Sequence, residues 1–124
     1  MRLLFLGDVM GRSGRTALAE RLPGLRAAWG LDFVVVNGEN ATSGAGLSAA
    51  HARLLFEAGA DCVTLGDHAF DRPEMLQAIE GDPRILRPLN YAKAAPGRGA
   101  RVFELGGGRR VLVAQVLGQV FMKR

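Results

Sequence analysis

Short apolar runs alternate along the chain with segments in which apolar residues recur every three or four positions. A run of the first kind is typical of a buried strand, and the second spacing is typical of a helix that packs on one side. Regular alternation of the two indicates βα units that build a parallel sheet. The pattern therefore predicts an α/β fold with strands in "RLLFLGD", "DFVVVN" and "DCVTL", and a short edge strand in the proline-containing "RILRPLN".

Helices are predicted in the segments between these strands. Ser13 is placed to cap the first helix, and Pro23 predicts a kink or break within it. Ser48 is placed to cap a second helix in "AAHARLLFEA", and Gly59 stands where a glycine commonly ends a helix. These two helices are expected to connect the first three strands in the manner of a parallel sheet.

A third helix is predicted after "DCVTL". Asp71 and Glu74 stand three positions apart, which is the spacing of a capping box, and Pro73 lies in the expected first turn. The helix is expected to run from this box to about Glu80.

The last quarter of the chain has a different pattern. "RVFEL", "GGGR" and "RVLVAQVL" predict a β-hairpin with a glycine turn, which would convert the parallel sheet into a mixed one. No helix-like segment follows the last strand to cover it. The pattern therefore indicates an incomplete domain or a sheet that a partner covers, such as a second copy of the chain.

Composition agrees with one globular domain. The chain has 124 residues, of which 48% are hydrophobic and 23% charged. No apolar stretch approaches the roughly 20 residues of a membrane span, and "MRLLFLGD" is too short in apolar residues for a signal peptide. We therefore expect a cytoplasmic protein without a membrane partner. Cys62 is the single cysteine, and its apolar surroundings predict a small buried hydrophobe.

The positive charge raises the question of an anionic partner. The formal net charge is +4, but the basic residues are scattered along the chain and form no run longer than "RR". Clustering on one face is the signature of a nucleic-acid interface. We therefore predict no dedicated nucleic-acid face.

Acids and amides follow each of the first three predicted strands. The strand ends are "GD" with Asp8, "NGEN" with Glu39 and Asn40, and "GDH" with Asp67 and His68. The carboxyl ends of parallel strands meet at one edge of the sheet, where ligands bind. Converging carboxylates repel each other unless a cation binds, and oxygen ligands suit Mg²⁺ or Mn²⁺, whereas a nearby imidazole adds iron and zinc. The strand ends therefore predict a metal site.

Each of these residues alone also has an ordinary structural interpretation. Asp8 could cap a helix, Glu39 could be a surface carboxylate, and Asn40 could form an Asx turn. His68 could be a hydrogen-bonded loop histidine, and His51, among helical alanines, is interpreted as a packing residue. A flavodoxin-like domain that binds a small anion is an alternative, but it would need backbone or basic donors where this chain has acids.

Four segments taken together carry a family resemblance. "LFLGDVMGRSGR", "VVVNGENATSGAGL", "GADCVTLGDHAFD" and "RPLNY" resemble the YmdB-like branch of the calcineurin-like metallophosphoesterases. The resemblance implies a layered metallophosphoesterase-like fold and hydrolysis of phosphodiesters, at family level 2′,3′-cyclic nucleotides, at a site with two divalent metal ions (Mn, Fe, Mg or Zn). Asp8 and Asn40 would bind one ion, Glu39 would bridge both, Asp67 would bind the other, and His68 would donate a proton or contact phosphate.

The chain departs from the family pattern in two ways. Asp67 stands where the family has asparagine, and a carboxylate there would bind a metal more tightly while weakening it as a Lewis acid. Residues 1–124 resemble the N-terminal half of the family's domain, whose later half supplies histidine ligands in segments resembling FHAE and GTHTH. This chain has two histidines, neither in such a context. A noncatalytic fragment or interaction module is therefore a second hypothesis.

Overall fold

The centre of the molecule is a four-stranded parallel sheet. The computed structural model describes residues 1–118, and the strands lie in the order β1-β2-β3-β4. In chain order the four strands span Leu3–Leu6, Phe33–Asn37, Cys62–Thr64 and Ile85–Leu86. The predicted parallel sheet is therefore confirmed, and the proline-containing segment supplies an edge strand as expected.

Three helices cover one face of this sheet. They are α1 (Gly11–Ala28), α2 (Ala49–Ala58) and α3 (Met75–Gly81). Alternate strand residues, such as Val34 and Val63, point toward them and form a buried core with helical residues that include Leu22. The side chains of a strand alternate between its two faces, so the remaining strand residues point the other way.

The C-terminal hairpin packs on part of the opposite face, where Leu3 and Phe5 of β1 stay 56% and 63% exposed. Its strands are β5 (Ala100–Glu104) and β6 (Arg110–Ala114), which pair antiparallel as a separate two-stranded sheet. The ring of Phe103 meets Phe33 edge-on, with 5.0 Å between centroids. The hairpin is confirmed, but the predicted mixed sheet is wrong: the hairpin stacks on the parallel sheet because burying its apolar side chains there removes them from water.

The interface between the parallel sheet and the hairpin contains the single cysteine of the chain. Cys62 is fully buried between the two sheets, which confirms the predicted small hydrophobe, and burial raises the pKa of its thiol to about 12.

The outer face of the hairpin is open, since Leu112 is 68% exposed and Val102 46%. The end of the chain was expected to leave a sheet uncovered, and residues 119–124 of that segment lie outside the residues that the structure describes. Association with a second copy stays a prediction.

The ends of α2 lie where the sequence predicted them, whereas the start of α1 does not. The Ser48 hydroxyl accepts a hydrogen bond from the His51 N–H at 3.1 Å, and Gly59 ends α2 with a φ of 125°. The cap predicted at Ser13 is wrong, because α1 already begins at Gly11. The helix also continues past Pro23, because one missing N–H removes one backbone hydrogen bond while the buried leucines on that helix keep it packed.

The capping box predicted for α3 is also wrong. The helix begins at Met75, and its N-cap residue Glu74 makes no capping hydrogen bond. Asp71 is engaged by a histidine instead, as described below. Among residues 1–118, none of the helices combines the length and apolar character needed to cross a bilayer.

Candidate metal centre at the carboxyl edge of the sheet

The loops that follow β1, β2 and β3 lie side by side at one edge of the sheet. The strand register places Leu6 beside Val36, and Asn37 beside Thr64. Backbone hydrogen bonds then connect the loops, from the Val9 N–H to the Asn37 carbonyl at 3.1 Å and from the Gly38 N–H to the Thr64 carbonyl at 2.9 Å. The strand-end residues singled out from the sequence therefore lie in three neighbouring loops.

Asp8 and Asn40 form the first pair of oxygen donors. The Asn40 amide donates a hydrogen bond to Oδ1 of Asp8 at 2.7 Å. Asp8 has a φ of 43°, in the left-handed region that disfavours residues other than glycine. Such a backbone costs about 1 to 3 kcal/mol and persists where surrounding contacts impose it, commonly at functional sites. Here the strained turn directs a carboxylate toward the loop after β2.

Glu39 and Asp67 form the second pair. Burial raises the pKa of Glu39, and the Asp67 carboxylate within hydrogen-bonding reach raises it further. The Asn37 amide, which donates to Oε1 of Glu39 at 3.2 Å, and the His68 backbone N–H oppose this shift. Two neighbouring carboxylates in a partly buried site favour binding a cation, because the cation offsets both the burial and the repulsion of their charges.

The second pair has room only because residue 66 is glycine. A Cβ atom on Gly66 would lie 2.5 Å from Cδ of Glu39, far inside contact distance. The Gly66 carbonyl also accepts a hydrogen bond from the Tyr91 hydroxyl at 3.1 Å. Burial raises the pKa of Tyr91, and the negative charges of Asp67 and Glu39 add to the shift. Tyr91 supports the loop, a role that "RPLNY" did not reveal in the sequence.

His68 lies next to the second pair and is itself oriented by a carboxylate. Its Nδ1 atom lies 2.6 Å from Oδ2 of Asp71, and its Nε2 atom lies 3.8 Å from Oδ1 of Asp67. The hydrogen bond to Asp71 is the main cause that raises the pKa of His68; partial burial opposes it, and the charge of Asp67 reinforces it. Sequence reasoning missed this contact, for which the three-residue spacing in "HAFD" was the available signal.

The other histidine does not belong to this group of residues. His51 lies on α2, with its Nδ1 atom 2.6 Å from the Thr42 hydroxyl oxygen. Burial lowers the pKa of His51, and the positive charges of Arg15 and Arg72 lower it further. These contacts agree with the interpretation of His51 as a packing residue.

The acids and amides form two pairs, each an incomplete ligand set. Within residues 1–118, no three His, Cys, Asp or Glu side chains converge to hold a metal. The available donors are one carboxylate with one amide, and two carboxylates that share a tight space. Oxygen donors of this kind suit hard divalent ions. The residues therefore fit divalent metals as partial ligands, with further ligands needed to complete each shell.

A parallel sheet with acidic loops at its carboxyl edge and a hairpin on its far face is an architecture shared with known proteins. A family model described as YmdB-like protein matches residues 4–124. The chain therefore belongs to the YmdB-like family, as its strand-end segments predicted.

Individual relatives are similar in sequence or structure to this chain over most of its length. The 2′,3′-cyclic-nucleotide 2′-phosphodiesterase of Bacillus subtilis (strain 168) is 35% identical over 122 residues, which are 98% of this chain and 46% of that protein. A crystal structure of a hypothetical protein from Thermus thermophilus has a TM-score of 0.92 at 44% identity, covering 100% of this chain and 48% of that one. A phosphatase structure from Mycoplasma pneumoniae has a TM-score of 0.83 at 36% identity, covering 92% and 42%. The chain spans about half the length of these relatives.

Proposed function

We propose that this chain forms part of a metal-dependent phosphodiesterase that acts on nucleotides, with 2′,3′-cyclic nucleotides as the first candidate. The observation that carries the proposal is the pairing of Glu39 with Asp67, beside the pairing of Asp8 with Asn40. These two pairs come from three neighbouring loops at the sheet edge where α/β proteins bind ligands. The name of the Bacillus subtilis relative suggests the substrate class.

The proposed ligands divide between two divalent ions, which could be Mn, Fe, Mg or Zn. Asp8 and Asn40 would hold one ion, Asp67 would hold the other, and Glu39 would contribute to both. Burial raises the pKa of Glu39 and the neighbouring Asp67 raises it further, and a cation between the two carboxylates would offset both effects. When bound, such a pair of ions supplies Lewis-acid stabilisation of phosphate and a nucleophilic water.

His68 is the proposed proton donor. Hydrolysis consumes one water: its oxygen becomes bonded to phosphorus, one P–O bond breaks, and the leaving oxygen needs a proton. The Nε2 atom of His68 lies 3.8 Å from Oδ1 of Asp67, and 41% of the His68 side chain is exposed, which leaves the ring accessible to a substrate. General acid catalysis of this kind contributes about 10² to 10⁴ in rate.

Residues 1–124 are proposed to be the N-terminal half of the catalytic domain. The two donor pairs leave each metal shell incomplete within the described residues. The relatives extend over about twice this length, which leaves room for further ligands in their other half. The acidic edge and the family membership both favour this proposal over a small-anion binding domain.

The test is hydrolysis of a 2′,3′-cyclic nucleotide across a Mn²⁺ titration. The 124-residue chain is assayed alone and with a separately produced polypeptide equivalent to the uncovered part of the Thermus thermophilus protein. We expect little turnover alone and a large increase with the second polypeptide. Glu39→Gln should abolish that increase, whereas Glu57→Gln, on the exposed side of α2, should leave it unchanged.

Two results would contradict the proposal. Robust turnover by the chain alone, retained through purification and lost in His68→Ala, would show that no second half is required. Tight Mn²⁺ binding without turnover of any cyclic nucleotide, even in the completed protein, would favour a noncatalytic module.

A further inference from the structure

The loop after β4 carries a side-chain amide that serves as a partner for the backbone. Asn90 donates from Nδ2 to the Leu117 carbonyl at 2.7 Å, and its Oδ1 atom accepts from the Leu117 N–H at 2.9 Å. A side-chain amide presents a donor and an acceptor, as a peptide group does. One side chain therefore pairs with both backbone groups of a residue 27 positions further along the chain.

These two bonds continue a ladder that starts where the hairpin ends. Just beyond β6, the Gln115 N–H donates to the Gly99 carbonyl at 3.0 Å, and the Gln115 carbonyl accepts from the Leu89 N–H at 2.6 Å. Bonds at every second residue are the pattern of an antiparallel ladder, and the Asn90 amide stands in for the next backbone partner at Leu117. The chain that leaves the hairpin is thus guided along the loop after β4.

The turn that carries Asn90 is fixed by buried contacts. The Tyr91 N–H donates to the Pro88 carbonyl at 3.2 Å, which closes the turn, and Pro88 is fully buried. Arg87 donates from Nη1 to the Pro88 carbonyl at 2.9 Å and from Nε to the Pro96 carbonyl at 3.2 Å. The Asn90 amide therefore projects from a backbone whose position is set by its neighbours.

The next residue connects the same turn to the edge of the sheet. The Tyr91 hydroxyl donates to the Gly66 carbonyl at 3.1 Å, and Gly66 directly precedes Asp67. Two consecutive side chains of one turn therefore reach two different places. Asn90 holds the chain that leaves the hairpin, and Tyr91 holds the loop that carries one of the proposed metal ligands.

We propose that Asn90 is a positioning residue: it fixes Leu117 against the turn that Tyr91 connects to the metal edge, and so sets the path of the chain into the half of the domain that supplies further ligands. This role rests on the proposed function, in which those ligands come from residues beyond 124. The contact between Asn90 and Leu117 does not depend on it.

Stability alone gives little reason for this pair of bonds. Asn90 is exposed and Leu117 is partly exposed, so water could satisfy the same groups. A protein partner that replaces water contributes little net free energy of unfolding. The role of Asn90 is therefore expected to appear in the position of the chain at residue 117 and not in the melting temperature.

The first test is amide hydrogen exchange of the 124-residue chain in EDTA, followed residue by residue by NMR. Asn90→Ala should speed exchange of the Leu117 N–H roughly 2- to 10-fold, the factor that corresponds to loss of one hydrogen bond. Asn90→Asp retains an acceptor for this N–H, so more of its protection should remain. The Val63 N–H, which donates to the Arg84 carbonyl at 2.9 Å within the sheet, should exchange at the wild-type rate in both variants.

The matched control is Gln115→Ala. It removes an amide that donates to the neighbouring Val116 carbonyl at 3.4 Å and leaves both Gln115 backbone bonds in place, so exchange at Leu117 should not change. Unchanged exchange in Asn90→Ala, or equal acceleration in Gln115→Ala, would overturn the proposal. Faster exchange of the Val63 N–H would also overturn it, since Asn90 would then support the whole fold and not one segment.

A second measurement connects the contact to metal binding. It uses a single polypeptide in which the uncovered part of the Thermus thermophilus protein follows residue 124. Asn90→Ala should raise the Mn²⁺ dissociation constant, measured by isothermal titration calorimetry, about 10-fold, the lower end of the usual cost of disturbing groups that support metal ligands. The melting temperature in EDTA should change little.

An unchanged Mn²⁺ dissociation constant alongside faster exchange at Leu117 would refute the positioning role. Neither measurement needs turnover. Failure of this inference is therefore distinguishable from failure of the proposed phosphodiesterase function, which is tested by hydrolysis of the cyclic nucleotide.

Discussion

Gly66 is the residue on which the position of the Glu39 carboxylate depends. The absence of a side chain there leaves the space in which Glu39 lies beside the loop after β3. The backbone of Gly66 is not in the left-handed region, so alanine would be disfavoured by contact alone. A single methyl group is therefore expected to disturb the second donor pair without changing the backbone.

We predict that Gly66→Ala lowers the free energy of unfolding by less than about 1 kcal/mol, because the added methyl group displaces only the end of the flexible Glu39 side chain. It should also weaken Mn²⁺ binding. The measurement is urea unfolding with and without Mn²⁺. Gly24→Ala is the control: its Cβ would meet nothing within 4 Å inside α1, and it should be neutral or stabilising. Equal effects of the two substitutions would contradict the steric argument.

A second prediction at this scale concerns the charge of the Glu39–Asp67 pair. Asp67→Asn removes one carboxylate, so it should weaken Mn²⁺ binding to the 124-residue chain, measured by isothermal titration calorimetry. In the completed protein the same change leaves more positive charge on the metal pair, and turnover should rise while metal affinity falls. A loss of both turnover and affinity would show that the Asp67 carboxylate has a role beyond metal binding.

At the scale of elements, the turn between α3 and β4 connects three parts of the fold. Arg84 makes hydrogen bonds to both carboxylate oxygens of Asp82, at 2.9 and 2.8 Å. Its guanidinium also stacks over the ring of Phe56 on α2, 3.8 Å from the centroid. The turn thus holds α3, the edge strand β4 and α2 together. The hydrogen bond from Arg84 is the main cause that lowers the pKa of Asp82.

This pKa gives a pH-dependent prediction. The pKa of Asp82 in the folded state lies below the ordinary 3.8, so its contribution to stability is complete above that value and is lost as the pH falls through the folded pKa. Asp82→Asn should lower the free energy of unfolding at neutral pH by less than about 1 kcal/mol, since the pair is partly exposed. The difference from wild type should vanish in strong acid, as measured by urea unfolding.

Glu104→Gln, at an exposed position of β5, is the control for Asp82→Asn. It should produce no difference at either pH. A constant difference between Asp82→Asn and wild type across the acid range would contradict the assignment of the effect to ionised Asp82.

At the scale of the whole molecule, the acidic loops of three βα units lie at one shared edge, where the charge of Asp67 acts on Glu39. A cation that binds the folded chain and not the unfolded one relieves this repulsion and raises the stability of every element that carries a loop. The described residues hold only partial ligand sets, so binding is expected to be weaker than in a complete two-metal site.

We predict that Mn²⁺ raises the melting temperature of the 124-residue chain. An ion at about 100 times its dissociation constant adds about 2.7 kcal/mol to the free energy of unfolding. Glu39→Ala should remove most of the shift, and Glu57→Ala should retain it. No shift in millimolar Mn²⁺, or the same shift in both variants, would count against metal binding at this edge.

The sequence alone determined the elements and the residue types at their ends. Periodic burial predicted four parallel strands, three helices and a hairpin, because hydrophobic spacing reflects which side of an element is covered. Ser48 caps the start of α2 and Gly59 ends it, as predicted, since both positions depend on local hydrogen bonds to the backbone. The acids and amides at the strand ends were also evident from their positions, since parallel strands must end at one edge.

Tertiary structure decided which side chains meet. Asp8 pairs with Asn40 across the sheet edge because of strand register, which no local pattern contains. The hairpin stacks on the parallel sheet and does not extend it, because stacking buries the apolar side chains on one face of the hairpin. Asp71 binds the His68 ring and leaves α3 without the predicted capping box, because one carboxylate had two possible partners. Such competition is settled by distances between loops, and these exist only once the chain has folded.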